Sequence, residues 1–192
     1  MSLHDSALSG GFTDPASQSA RAFREVLQAL SRPGQPRLIE GAAPPAPLSP
    51  SGGTLALVLF DRTTPVLLAG THDCASLRDW LTFHTGAPLT QDPAEAAFAL
   101  GDWSSLHPLL ARFAIGTPEY PDRATTVIVD GPIDARPVTL SGPGLAAPLA
   151  FALPEPAFFA QNGAQFPLGL DFFFTQGAQV TGLPRSSRIE VR

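Results

Sequence analysis

Six side chains carry the chemistry that this sequence offers to an anion or a proton: Arg24, Arg78, His84, Thr85, Asp171 and Arg185. A guanidinium presents a planar fork of donors that matches two oxygens of a carboxylate or phosphate group. His84 falls at the end of a helical pattern, where the macrodipole favours a protonated imidazole; there it either reads a phosphate or caps the helix. Asp171 opens an aromatic run, Phe172-Phe173-Phe174, and a carboxylate beside such a run is costly to bury without hydrogen bonds or a cation. Arg185 and Arg188 follow within reach of it. Asp171 either orients one of these guanidiniums for a ligand or pairs with it to hold a strand end. Arg21, Arg24 and Glu25 lie off or at the edge of an apolar helical stripe, where a solvated face is the plain alternative to a binding role.

Several chemistries are excluded or disfavoured. All 12 basic side chains are arginine, so no lysine Schiff base, to pyridoxal phosphate or to a carbonyl substrate, can form. Cys74 is the single cysteine, which rules out an intrachain disulfide and a thiolate cluster. His72 and Cys74 have no evident further ligands nearby, and no metal is expected. Ser141-Gly-Pro-Gly-Leu-Ala-Ala147 imitates a dinucleotide fingerprint. Pro143 removes an amide between the glycines, Pro148 interrupts the helix that should follow, and the motif comes late in the chain, so a tight turn is the better reading. No P-loop, His-Glu-x-x-His or Gly-x-Ser-x-Gly occurs. What remains of stand-alone catalysis is His84 with a carboxylate as an acid-base pair.

The 17 acidic against 12 basic side chains give a net charge of −5, without a basic patch, so nucleic-acid binding is not expected. The 192 residues suffice for one domain that buries about 70% of its unfolded surface. The chain is 44% hydrophobic and only 15% charged, which leaves apolar surface to meet another chain. No signal segment or membrane-length apolar run is present, and a cytoplasmic location is the default.

These residues must be positioned by alternating elements. Residues 1–14 are expected to be a flexible N-terminus. Asp14-Pro15 starts an amphipathic helix with Ala20, Phe23, Val26, Leu27 and Leu30 on its stripe, stopped by Pro33-Gly34. Arg37 to Ile39 reads as a short strand and 41–53 as a loop. Thr54 to Phe60 is helix or strand by periodicity, and Ser49-Pro50 favours helix. Val66 to Ala69 reads as a buried strand. Asp73 is expected to cap a helix with Leu77, Trp80, Leu81 and His84 on one side, ended by Gly86. A short turn at Asp92-Pro93, a strand at Ala97 to Leu100, a helix over Ser104 to Phe113, and strands at Thr125 to Val129 and Val138 to Leu140 follow. Pro154 to Ala160 begins a helix ended by Asn162-Gly163. Leu170 to Thr175, a Gln176-Gly177 turn and Val180 to Leu183 form a hairpin in mid-sheet. The alternation predicts a layered α/β domain over 15–192.

Phe23-Arg24 to Arg32-Pro33-Gly34, Phe83-His-Thr-Gly-Ala-Pro-Leu89, Thr139-Leu-Ser-Gly-Pro-Gly144, Phe166-Pro-Leu-Gly-Leu-Asp171 and Leu183-Pro-Arg185 through Ile189-Glu-Val191 together resemble the PhnH family. The blocks run in order from about residue 15 to the C-terminus. The resemblance implies a three-layer α/β/α fold with a central mixed sheet, similar to the pyridoxal-phosphate-dependent transferases but without that cofactor. It implies a homodimer when isolated and, in the cell, a carbon-phosphorus lyase core complex with PhnG, PhnI and PhnJ subunits. With PhnL, that complex joins a phosphonate to the ribose C1 of ATP, displacing adenine, as the alpha-D-ribose 1-methylphosphonate 5-triphosphate synthase. PhnJ, an iron-sulfur radical enzyme, then breaks the carbon-phosphorus bond after the triphosphate is trimmed. The resemblance carries no catalytic residue onto this chain, and the expected role is accessory, with direct phosphonate or nucleotide binding as the alternative.

Overall fold

Three consecutive phenylalanines require a strand covered on both faces, and they obtain one. The computed structural model of the chain describes residues 8–191. In it the elements are α1 (Pro15–Ser31), β1 (Arg37–Leu38), α2 (Pro50–Leu59), β2 (Val66–Leu68), α3 (Ala75–Thr85), β3 (Phe98–Gly101), α4 (Trp103–Leu106), β4 (Thr126–Asp130), β5 (Arg136–Ser141), β6 (Leu149–Leu153), α5 (Pro156–Ala164), β7 (Asp171–Gln176), β8 (Gln179–Leu183) and β9 (Arg188–Val191), with short 3-10 segments between some of them. Six strands make a mixed sheet in the order β1-β8-β7-β4-β3-β2, and β6-β5-β9 make a smaller antiparallel one. Strands β2, β3, β4 and β7 are parallel to one another, while β8 runs antiparallel to both β7 and β1.

Side-chain alternation along β7 divides the core in two. Phe173 packs with Val26, Ala29, Leu55, Trp80 and Ile128 beneath α1, α2 and α3. Phe172 packs on the opposite face with Leu106, Val127, Val138 and Phe159, and Phe174 lies against the same cluster. The second cluster fills the space between the large sheet, α4, α5 and the small sheet. Helices therefore cover both faces of a central mixed sheet, the α/β class that the alternation of elements implied.

The local signals acted as expected where caps were written into the sequence. Asp14 Oδ1 accepts the Ser17 amide at the start of α1, and Ser49 Oγ accepts the Gly52 amide at the start of α2, so the stretch from Thr54 is helical as far as Leu59, with Phe60 extended after it, and the preceding loop ends at Ser49. The buried side of α1 is Ala22, Val26 and Ala29, rotated from the expected stripe, and Phe23 and Leu27 stay about half exposed. The cause is a close approach: a Cβ at Gly182 in β8 would stand 2.6 Å from Ala29 O, so small residues of α1 seat against the sheet and the large ones are turned outward.

Other expectations are corrected. Cys74, not Asp73, occupies the cap position of α3, because Gly70–His72 tightens into a 3-10 turn that Asp73 closes through its amide to Gly70 O. The helix expected over 104–113 is α4 followed by a 3-10 segment, His107–Arg112, since Pro108 lacks the amide an α-helix needs there. Helix α5 continues to Ala164 because buried Asn162 does not end it; the side chain bonds both the amide and the carbonyl of Leu170 at 2.8 Å. The hairpin turn is Gly177-Ala178, one residue later than expected, with Gln176 paired to Gln179. Strand β6 carries no comparable signal in the sequence, since Leu-Ala-Phe-Ala-Leu lacks β-branched residues, and β9, Arg-Ile-Glu-Val, alternates over only four residues.

Candidate functional site

In parallel α/β sheets the carboxyl ends of the strands are where side chains converge. Here they converge on Asp130, the last residue of β4, which is paired in register with Thr175 of β7. Its Oδ1 accepts from Thr175 Oγ1 at 2.6 Å and from Ser49 Oγ, and its Oδ2 accepts from the Ser49 amide at 3.0 Å. His72, from the turn after β2, places Nε2 3.0 Å from Oδ2. Burial pushes the Asp130 carboxyl up; the hydrogen bonds from His72, Ser49 and Thr175 more than offset that and hold it below its ordinary value. An ionised carboxylate only accepts, so His72 carries its proton on Nε2 and donates it, which leaves Nδ1 buried without a partner.

The order of these bonds decides what the group can do. A carboxylate has about four lone-pair sites, and the amide, two hydroxyls and imidazole fill them. In a nucleophilic triad the imidazole stands between the carboxylate and the hydroxyl. Here the carboxylate stands between, Ser49 Oγ donates to Asp130 instead of to His72, and no base is placed on that hydroxyl. His72 is only 3% exposed. The arrangement is a clasp: it ties the N-terminus of α2 and the turn after β2 to the ends of β4 and β7. The anion at the positive end of α2 is the chain's own carboxylate.

The expected ligand-binding residues are dispersed over the molecule, and one contact joins two of them. Arg185 donates through Nε to both oxygens of Asp171 at 3.1 Å, and through Nη2 to Oδ2. The Arg185 amide also donates to Oδ1 at 2.8 Å, and Nη1 reaches Pro121 O at 2.6 Å. This pair locks the start of β7 to the segment after β8. Arg78 donates through Nε to Asp73 Oδ1 at 2.6 Å, which holds its pKa above the usual guanidinium value. Thr85 Oγ1 donates to Leu81 O and accepts the Ala87 amide, finishing α3. His84 Nε2 lies 3.3 Å from Ser9 O, and its ring packs beside Trp80 and Phe83. Trp80 Nε1 donates to the same Ser9 carbonyl at 2.9 Å, and Gly10 O accepts the Ala43 amide; residues 1–7 of the expected flexible N-terminus lie outside the described residues.

Arg24 differs from the other five. It lines an open groove of about 650 Å³ between α1 and β1, together with Arg21, Glu25, Leu38 and Glu40. Glu25 is paired with Arg37 at 2.6 Å. Among the described residues no group of three or more His, Cys, Asp or Glu side chains could hold a metal ion. No helix among them is long and apolar enough to cross a membrane.

Sequence reasoning missed the Asp130 clasp because its members lie at 49, 72, 130 and 175 and meet only once the parallel strands are stacked. The signal available was positional: Asp130 and Thr175 each stand at the end of a β-branched or aromatic run.

Comparison with known proteins adds two findings. A family model described as bacterial phosphonate metabolism protein (PhnH) matches residues 10–190. The chain is also 37% identical over 200 residues, covering 99% of each, to the alpha-D-ribose 1-methylphosphonate 5-triphosphate synthase subunit PhnH of Rhizobium meliloti (strain 1021).

Proposed function

This chain belongs to the PhnH family of bacterial phosphonate metabolism proteins, and from that premise we propose that it is an accessory subunit, without catalytic chemistry of its own, of the synthase that forms alpha-D-ribose 1-methylphosphonate 5-triphosphate in phosphonate degradation. The observation that carries this reading is the similarity to a named synthase subunit over 99% of both chains, which spans both sheets and the helices of the described residues. Two features of the molecule support an accessory role. Several of its acid-base side chains are paired with one another: His72 with Asp130, Asp171 with Arg185, Asp73 with Arg78 and, at the surface, His107 with Glu155. And Phe23, Leu27, Phe83 and Phe166 stand about half exposed or more, apolar surface of the kind that partner subunits cover.

In this reading the chain is a homodimer when isolated, works in the cytoplasm, takes no cofactor of its own, and joins PhnG, PhnI and PhnJ subunits in a carbon-phosphorus lyase core. Size-exclusion chromatography with those three subunits tests it. Co-elution in one stoichiometric peak is expected; separate elution at micromolar concentrations overturns the assignment.

A second reading, recognition of a phosphonate or nucleotide by Arg24 with Arg78, His84, Thr85, Asp171 and Arg185, is favoured by the open groove beside Arg24. It requires the other five to exchange their present partners for the ligand. Saturable heat with ATP or methylphosphonate in calorimetry, lost in Arg24→Ala, supports it; no heat at millimolar ligand ends it. Catalysis by His84 with a carboxylate is less supported, as its ring nitrogen meets a backbone carbonyl.

A further inference from the structure

The two edges of the six-stranded sheet are finished differently. Outside β2, residues 88–90 run alongside: Val66 donates its amide to Pro88 O at 2.8 Å and accepts the Thr90 amide at 2.9 Å. Outside β1, nothing among the described residues pairs, and β8 is its one neighbour in the sheet. The register fixes which groups this leaves open. The Ile39 amide donates to Ala178 O, so the hydrogen-bonded rungs to β8 fall at 37 and 39. The backbone N–H and C=O of Leu38 and Glu40 therefore point outward, in the plane of the sheet. An unpaired edge of this kind is a template for another strand.

The surroundings of that edge set what such a strand must look like. Ile39 packs under α1 with Val26 and Ala29, and Arg37 pairs with Glu25 of α1, so both face the helix layer. By alternation Leu38 faces the other side of the sheet, where it is 64% exposed. On the helix side the groove presents Arg21 and Arg24. Glu25 is already neutralised by Arg37, Arg21 Nε donates only to Ser17 O, and Arg24 has no partner among the described residues. Glu40, the other carboxylate of the groove, falls by alternation with Leu38 on the far face of the sheet, so the wall on the helix side is basic in a chain whose net charge is −5.

We propose that the groove between α1 and the open edge of β1 receives an extended segment of a partner polypeptide, which adds as a seventh strand and alternates acidic side chains toward Arg21 and Arg24 with apolar ones beside Leu38. The proposal rests on the reading of this chain as a subunit of the synthase complex, and it names the surface through which one of the other subunits is held. A second copy of this chain fits poorly. Edge-to-edge pairing about a two-fold axis would set α1 against α1, with the four guanidiniums of Arg21 and Arg24 on one face and a single exposed Leu38 from each chain as apolar contact. A strand needs less apolar area, because main-chain hydrogen bonds and carboxylate-guanidinium pairs carry the contact.

Amide hydrogen exchange of the full chain, alone and in the complex assembled with PhnG, PhnI and PhnJ, tests the proposal. The Leu38 and Glu40 amides should exchange freely in the chain alone and slow by about tenfold or more in the complex. Two variants separate backbone pairing from charge. Leu38→Pro removes an outward donor without touching the rungs at 37 and 39, and Arg24→Glu reverses the wall on an exposed side chain. Each should weaken association by about tenfold to a hundredfold, with the fold retained by circular dichroism. Assembly with unchanged exchange at 38 and 40, or with both variants binding as the wild type does, overturns the proposal and leaves the subunit assignment intact. Protection of these amides already in the chain alone, growing with its concentration, would mean that a second copy occupies the edge and also overturns it. No association at all overturns both.

Discussion

Asp130 is the residue whose loss the molecule should feel most. Removing the carboxylate in Asp130→Ala strands the His72 Nε2–H, the Ser49 amide and hydroxyl and the Thr175 hydroxyl at once. Breaking a buried charged network of this kind costs about 3–5 kcal/mol, which for a chain of this size lowers Tm by roughly 10 °C. The carboxyl's folded pKa lies below its unfolded one, so its contribution is complete above about pH 4, the ordinary aspartate range, and is lost as pH falls through the folded value. Urea denaturation should accordingly show the stability gap between wild type and Asp130→Asn closing as pH falls below about pH 4; a gap that stays unchanged through that range contradicts the clasp. The Asp171–Arg185 pair is less buried, and Asp171→Ala should cost about 1–3 kcal/mol, with Arg185→Lys recovering only part because an ammonium lacks the two-pronged fork. Asp171 and its arginine were legible from the sequence, a lone carboxylate beside three phenylalanines with cations fourteen and seventeen residues on. His72 and Asp130 were not, since nothing in either one's local sequence demands the other.

At the scale of elements, legibility followed the presence of a local chemical signal. Asp14-Pro15 and Ser49-Pro50 opened helices where the caps said so, and the aromatic run of β7 fell in mid-sheet. What failed was decided by packing or by an overlooked breaker. Which side of α1 is buried depends on the bare backbone of Gly182 in a strand that follows it by a hundred and fifty residues, and the helix over 104–113 was cut by Pro108. The hairpin turn gives a clean test. Gly177 has φ +58°, and a Cβ placed on it would meet nothing within 4 Å, so Gly177→Ala meets no obstacle except its own backbone. It should cost about 1–2 kcal/mol in chemical denaturation, and Gly177→Asn distinctly less, because asparagine tolerates the left-handed region. Equal costs for the two would mean that strain at the turn is not what fixes the register of β7 on β8.

At the scale of the whole molecule, the absence of lysine, the single cysteine and the saturation of Asp130 point the same way. Reactive groups are scarce or are bonded within the fold, while one sheet edge and several large apolar side chains are left open to other chains. On the proposed accessory role, turnover of ATP and methylphosphonate by this chain alone is not expected, and His84→Ala should support the assembled synthase as well as the wild type does. The most direct measurement of the central claim is reconstitution of the synthase with every subunit except this one, following product by phosphorus NMR. The account predicts no alpha-D-ribose 1-methylphosphonate 5-triphosphate until the chain is added back; full product without it, or product from the chain in isolation, would contradict it.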